Sequence, residues 1–331
     1  MRRRAFITLI GSAAATSLPW PLTARAQPPA MPLVGVVFGV SAAEWADPIA
    51  SWRRGLNETG FIEGRNVAVE YRWAEGRLER MPLMAADLIA RRVAVLLMGG
   101  STDAVRSVVA VAQTTPIVFT SGADPVEAGI VTSLNRPGGN VTGVTTVGGE
   151  LGPKRLELLH EVVPGAKKIA VLINQNNRIT EDVNARGVQA AAPRLGLEVI
   201  VLNGGTQGDI ETAFASAVQR ACGGVYVSSD AFLNARRQQI AATALRHKLP
   251  TIGPAPDLAR AGLLISYGAD PIEMYRQAGV YVGRILKGEK AGDLPVLQPT
   301  KFNLIVNLKT AKAIGLTIPE SFLLRADEVI E

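Results

Sequence analysis

Val93-Ala94-Val95-Leu96-Leu97-Met98-Gly99-Gly100-Ser101-Thr102-Asp103, followed one helix-length later by Ile117-Val118-Phe119-Thr120-Ser121-Gly122-Ala123-Asp124-Pro125, decides how the chain reads. Each run is short and apolar and ends in small, polar and acidic residues. Apolar runs of this length bounded by glycine fit strands buried on both faces, and the stretch between them, from Asp103 to Ala112, has helical length. Polar residues just beyond the carboxyl ends of successive parallel strands line the crevice in which open α/β sheets hold their ligands.

Outward from this stretch, the first residues do not share the pattern. Arg2, Arg3 and Arg4 form a charged n-region, Ile7 to Leu18 is a short apolar run, and Ala24-Arg25-Ala26 is a small-residue cleavage site before Gln27. Residues 1–26 are therefore expected to be an export signal. Arg3-Arg4-Ala5-Phe6-Ile7 resembles the twin-arginine type, with a Sec signal as the alternative. A run this short, ended by Pro19 and Pro21, does not suit a retained membrane span.

The chain carries 35 Lys+Arg against 29 Asp+Glu, but its first 26 residues hold four arginines and no acid, leaving 31 against 29. That balance gives no support for a nucleic-acid partner. Cys222 is the only cysteine, which excludes an intramolecular disulfide, a cysteine-based metal cluster and a lipid-modified cysteine at the cleavage site. The expectation is a soluble, monomeric periplasmic protein without a lipid anchor.

Residues 27–331 alternate short apolar runs with longer amphipathic ones, the pattern of parallel α/β units. Strands are expected at Leu33 to Phe38, Val67 to Tyr71, Val141 to Val147, Lys168 to Ile173, Glu198 to Leu202, Gly224 to Val227, Thr251 to Gly253, Leu263 to Ser266 and Phe302 to Val306. Helices are expected at Pro48 to Thr59, Leu78 to Arg91, Lys154 to Val163, Glu181 to Leu195, Asp209 to Ala221, Leu233 to His247, Ile272 to Leu286 and Leu308 to Ile314. Two similar halves with polar strand ends imply two sheets whose rims face across a cleft. Residues 27–146 with 268–297 are expected to form lobe 1, and 147–267 with 298–331 lobe 2. Crossings near Val144 to Gly149, Ser266 to Ala269 and Gln298 to Thr300 would make a three-segment hinge, able to close on a ligand.

No catalytic constellation emerges. His160 and His247 fall on helices away from the strand ends; Gly39-Val40-Ser41-Ala42-Ala43 lacks the last glycine of a nucleophile elbow; Gly99-Gly100-Ser101-Thr102 lacks the lysine of a phosphate loop. Cys222 reads as a small buried residue, and Trp52 and Trp73 as packing. No catalytic residue, metal or cofactor is expected. The groups left for binding are hydrogen-bonding ones. Ser41 lies in the first strand-to-helix loop, and Gly100, Ser101 and Thr102 lie at a helix start suited to a carboxylate. Thr120 and Asp124 follow the next strand, with Asp124 able to offset an ammonium group. Asn174, Asn177, Ser229 and Asp230 supply the opposite rim, and Trp45, Phe38 and Tyr267 an aromatic wall. Against this stands the plain alternative that Ser101, Thr102 and Asp124 are helix caps and Asn174 to Asn177 turn residues.

Several stretches also carry a resemblance. Gly60-Phe61-Ile62-Glu63-Gly64-Arg65-Asn66-Val67 with Glu70-Tyr71-Arg72-Trp73-Ala74-Glu75-Gly76, Leu134-Asn135-Arg136-Pro137-Gly138-Gly139-Asn140-Val141-Thr142-Gly143, Lys154-Arg155-Leu156-Glu157-Leu158-Leu159, and Leu286-Lys287-Gly288-Glu289-Lys290 with Asp293-Leu294-Pro295-Val296 resemble the ABC-transporter substrate-binding proteins that include tryptophan and tyrosine binders. The resemblance spans the chain beyond the signal. It implies a type I periplasmic-binding-protein fold, two Rossmann-like lobes joined by three crossings, and delivery of a small polar solute, such as an amino acid or related carboxylate, to an ABC permease. Three other readings remain open at this point: a receptor for a signalling system, an α/β transferase-type enzyme, and a transcription factor, which would need a helix-turn-helix where the export signal stands.

Overall fold

A computed structural model describes residues 31–146 and 151–331. The expected export signal and the end of the first expected crossing lie outside the described residues. Five parallel strands make the first sheet: β1 (Leu33–Phe38), β2 (Ala68–Trp73), β3 (Val95–Gly99), β4 (Ile117–Ser121) and β5 (Val141–Thr145), in the order β2-β1-β3-β4-β5. β3, β4 and β5 are buried along their whole length, as apolar strands covered by helices on both faces must be. The edge strand β2, which alternates charged and aromatic residues, is half-buried throughout.

The second sheet contains β6 (Lys168–Ile173), β7 (Glu198–Asn203), β8 (Val225–Val227), β9 (Thr251–Gly253), β10 (Ile265–Gly268), β11 (Asn303–Asn307) and β12 (Glu328–Ile330), ordered β12-β11-β10-β9-β8-β6-β7. Only the β10 and β11 pair is antiparallel, because the chain has visited the first sheet in between. The helices are α1 (Ala46–Glu58), α2 (Met81–Ala90), α3 (Thr102–Val111), α4 (Gly152–Val162), α5 (Arg178–Ala191), α6 (Gln207–Gln219), α7 (Ala231–Ala235), α8 (Arg237–Arg246), α9 (Pro256–Ala261), α10 (Pro271–Leu286), α11 (Leu308–Ile314) and α12 (Glu320–Leu323).

The chain passes between the two sheets after β5, after β10 and before β11. At the last passage Leu297 lies beside β5, donating its N–H to the Gly143 carbonyl at 3.0 Å and accepting from Thr145 at 2.9 Å. At the middle passage the buried Arg155 of α4 holds the end of β10, its Nε donating to the Tyr267 carbonyl at 2.6 Å and its Nη1 to the Tyr226 hydroxyl at 3.3 Å.

From β10 the chain returns to the first lobe as α10, which lies against α1. Tyr275, Ala278, Tyr281, Val282 and Ile285 of α10 join the core built by Val34, Val36, Trp52 and Leu56. The approach is backbone to backbone: a Cβ on Gly55 would meet the Arg276 carbonyl, and one on Gly279 the Trp52 carbonyl.

Some elements differ from expectation. The helix expected over Leu78 to Arg91 begins as a 3₁₀ turn at Leu78–Arg80, and α2 starts only at Met81. Pro82 explains the start, since proline's fixed φ and missing N–H suit a first turn. The helix expected over Leu233 to His247 is broken at Arg236 into α7 and α8. The short elements α9, α12 and β12 were not anticipated, being too brief to show a period.

Candidate functional site

A cavity of about 60 Å³ lies between the carboxyl ends of the two sheets. From the first lobe come Trp45 before α1, Gly100, Ser101 and Thr102 at the start of α3, and Thr120 at the end of β4. The second lobe adds Asn177 at the start of α5 and Ser229 and Asp230 before α7. These eight residues are among those singled out in the sequence, and the strand-end argument accounts for them, since each lies at the carboxyl end of a strand or in the stretch that follows one.

Asp230 is the charged group of the wall. It is 3 % exposed. Its Oδ1 accepts from the N–H groups of Phe232 and Leu233 at 2.9 and 3.1 Å, capping α7, and from Asn174 Nδ2 at 3.0 Å, while Oδ2 accepts from Asn177 Nδ2 at 2.9 Å. Burial pushes the Asp230 carboxyl above the usual range, and these donors pull it back toward the ionised form. Behind it, Glu181 of α5 is also buried and takes a hydrogen bond from Ser228 Oγ at 2.9 Å. Burial first, and the neighbouring Asp230 second, raise Glu181 well above an ordinary carboxyl. One acid at the wall and a second, harder to ionise, behind it is how two like charges share a buried space.

The opposite wall is aromatic. Trp45 meets Tyr275 edge-on at 5.6 Å between ring centroids, and Phe38 lies 5.7 Å from the same ring, from behind. Thr120 Oγ1 is 3.4 Å from the Tyr275 hydroxyl, whose pKa burial pushes up to about 12. Tyr275 is therefore a neutral donor and acceptor at physiological pH.

Five singled-out residues do not border this cavity: Phe38, behind Tyr275, and four others. Ser41 hydrogen-bonds Glu44, its hydroxyl to Oε2 at 2.8 Å, closing its own loop. The Asp124 carboxylate accepts from the N–H groups of Val126 and Glu127 at 2.7 and 3.1 Å, so it caps a turn. Asn174 stands behind Asp230 and orients it. The Tyr267 ring packs on Phe302, 6.3 Å between centroids, on the hinge side. Conversely, Ser121, Gly122, Thr180, Asn234, Met274 and Tyr275 line the cavity without having been singled out. Ser121 and Gly122 directly continue β4 and were within reach of the same strand-end rule. Met274 and Tyr275 lie on a helix that reaches the site only through the return of the chain after β10.

A second cavity, about 720 Å³, sits against the hinge and shares Thr146 and Met274 with the first. Most of its charged groups are already occupied: Arg260 pairs with Glu328 at 2.6 Å, Asp270 caps α10, Glu273 pairs with Arg276 at 2.7 Å, and Asp327 accepts from the Leu304 N–H at 2.7 Å. The buried carboxylate and the aromatic wall converge on the smaller cavity, which identifies it as the candidate site. Among the described residues no group of three or more His, Cys, Asp or Glu side chains could hold a metal ion, and no helix is long and apolar enough to cross a membrane. Cys222 is buried, and His247 packs on Phe214.

A family model described as ABC transporter substrate binding protein matches residues 34–330. A tyrosine-binding protein of Clostridioides difficile strain R20291 is 26 % identical over 263 residues, 80 % of this chain and 75 % of that protein. An ABC domain in complex with L-Trp from Streptococcus pneumonia superposes with a TM-score of 0.79 at 24 % identity, covering 90 % of this chain and 99 % of that one. The ligand-free, open structure of a substrate binding protein with adhesive properties from Clostridium difficile has the same identity and coverages and a TM-score of 0.61. The shared architecture is the two-lobed type I periplasmic-binding-protein fold.

Proposed function

Because the chain belongs to the family of ABC transporter substrate-binding proteins, we propose that it captures a free amino acid between its lobes and delivers it to an ABC permease. The observation that carries this reading is the pairing of Asp230, a buried carboxylate, with an aromatic wall across one small cavity. The four donors to Asp230 are all neutral, buried charges are ordinarily paired, and the α-ammonium of an amino acid supplies the countercharge. The start of α3 and the end of β4, at Gly100, Ser101 and Gly122, offer the positive end of a helix and backbone N–H groups to the α-carboxylate. Trp45, Met274 and Tyr275 would border the side chain. The names of the related proteins favour an aromatic one.

A cavity of about 60 Å³ is far below the roughly 300 Å³ of the smallest ordinary ligand pockets, so loading requires the lobes to part. Export by residues 1–26, with the twin-arginine pattern at Arg3-Arg4, would place this capture in the periplasm, and the protein would act as a monomer without cofactor or turnover.

Isothermal titration of the protein against the twenty amino acids tests the proposal, with L-tyrosine and L-tryptophan expected to give heat. Asp230→Asn keeps the shape and removes the charge, and is expected to weaken binding about ten- to a hundredfold, the value of a hydrogen bond to a charged group. Binding only by solutes that lack an ammonium group, or full affinity in a folded Asp230→Asn protein, would overturn it.

A further inference from the structure

The two helices that meet across the cleft supply acceptors to each other's first turn, while Ser101, the N-cap of α3, also accepts from the Ala104 N–H of its own helix at 3.2 Å. Asn177 is the N-cap residue of α5, yet its side chain caps no backbone N–H of its own helix and accepts there only from the Thr180 hydroxyl, at 3.3 Å. Asparagine at this position ordinarily accepts from the second or third N–H of the helix it begins. Here Asn177 Oδ1 instead accepts from the N–H of Thr102, the first residue of α3 on the other lobe, at 3.3 Å. The N–H of Ile179, second in α5, is in turn taken at 3.1 Å by the carboxylate of Asp103, second in α3. Thr102 and Thr180 close the set with a 2.6 Å contact between their hydroxyls, and the Ile179 side chain packs on the core of the first lobe. Helix starts leave their first N–H groups without partners inside the helix, so each lobe supplies an acceptor for the other.

We propose that Asp103 and Asn177 form a cap-exchange latch that sets the balance between open and closed lobes, with Asp103 a positioning residue for ligand binding. The arrangement has two discrete solutions. In the closed form the caps are crossed; on opening, Asn177 can turn back to accept from its own helix, so the α5 N–H groups stay satisfied in both. A bistable contact of this kind is what lets two lobes switch. It also connects to the site, because Asn177 donates its amide N–H to Asp230, so a cation at Asp230 acts on the residue that holds α3. The two rim ion pairs, Arg186 with Glu127 and Arg236 with Glu44, lie nearer the solvent. The first of these is exposed on both sides and contributes little.

The inference concerns closure itself and does not depend on which solute binds. Small-angle scattering of the protein without added solute reads the closed-to-open ratio directly. Asp103→Ala is expected to lower that ratio about tenfold, the loss of one hydrogen bond to a charged group. The radius of gyration should then rise toward that of two parted lobes. Asp103→Asn, whose amide oxygen can still accept from Ile179, should restore much of the closed population. Glu127→Ala, at the exposed rim, should leave scattering unchanged, and circular dichroism confirms that each variant is folded. Unchanged scattering in folded Asp103→Ala, or no recovery in Asp103→Asn, overturns the proposal.

Discussion

Glu181 shows how burial and a neighbouring acid together move a single group. It lies 2 % exposed behind Asp230, and its pKa is raised, chiefly by burial and then by that neighbour. A group whose folded-state pKa is raised contributes its full stability below the unfolded value and loses it as pH rises through the folded value. The protein is therefore expected to lose stability across a window that opens near pH ~4.3 and closes at the raised pKa of Glu181. Asp230, raised in the same direction, adds to the slope. Glu181→Gln has no proton to lose, so its stability should decline less with pH, with the gap to the parent growing by about 1.4 kcal/mol per pH unit inside the window. Thermal melts from about pH 4 to 8 measure it; parallel curves for the two proteins would show that Glu181 ionises without hindrance.

Among the elements, the pairing of α1 with α10 determines whether the aromatic wall exists at all. Tyr275 is carried into the site by a helix that the chain adds after visiting the second lobe, and α10 is held on α1 by close backbone contact at Gly55 and Gly279 and by the Ser51 hydroxyl on the Ile272 carbonyl at 2.7 Å. Gly279→Ala places a methyl group against the carbonyl of Trp52. Rigid packing converts such an intrusion into about 1–3 kcal/mol of lost stability, and because Tyr275 moves with α10, ligand affinity should fall with it. Chemical denaturation and titration of the same sample check both. A variant with parent-like stability would mean that the helix pair yields more easily than its packing implies.

For the whole molecule, the proposed closure would couple binding to stability. A solute gripped by both lobes binds only the folded chain, so a hundredfold excess over Kd should add about 2.7 kcal/mol and raise the melting temperature by several degrees. A thermal-shift screen over amino acids ranks ligands by this linkage, and its order should match that of titration. The two lobes are joined by three passages and braced at the middle one by Arg155 on the Tyr267 carbonyl.

The strands except β12, and their order of appearance, were legible in the sequence, most of them because burial on both faces forces continuous apolar runs, and the carboxyl-end rule pointed to Ser101, Thr102, Thr120, Ser229 and Asp230 because a strand end is a local feature. Helix breaks at Arg236 and short elements such as α9 were not legible, since neither leaves a period long enough to read. The tertiary structure alone decided which acid faces the site. Asp124 and Asp230 look alike in sequence, each a carboxylate just past a strand, and both cap the backbone that follows. Only Asp230 stands where the second lobe meets the first, with Asn174 and Asn177 turned onto it. Met274 and Tyr275 enter from a helix more than a hundred residues beyond the strands they cover, a contact made by chain return and packing, which no local pattern encodes.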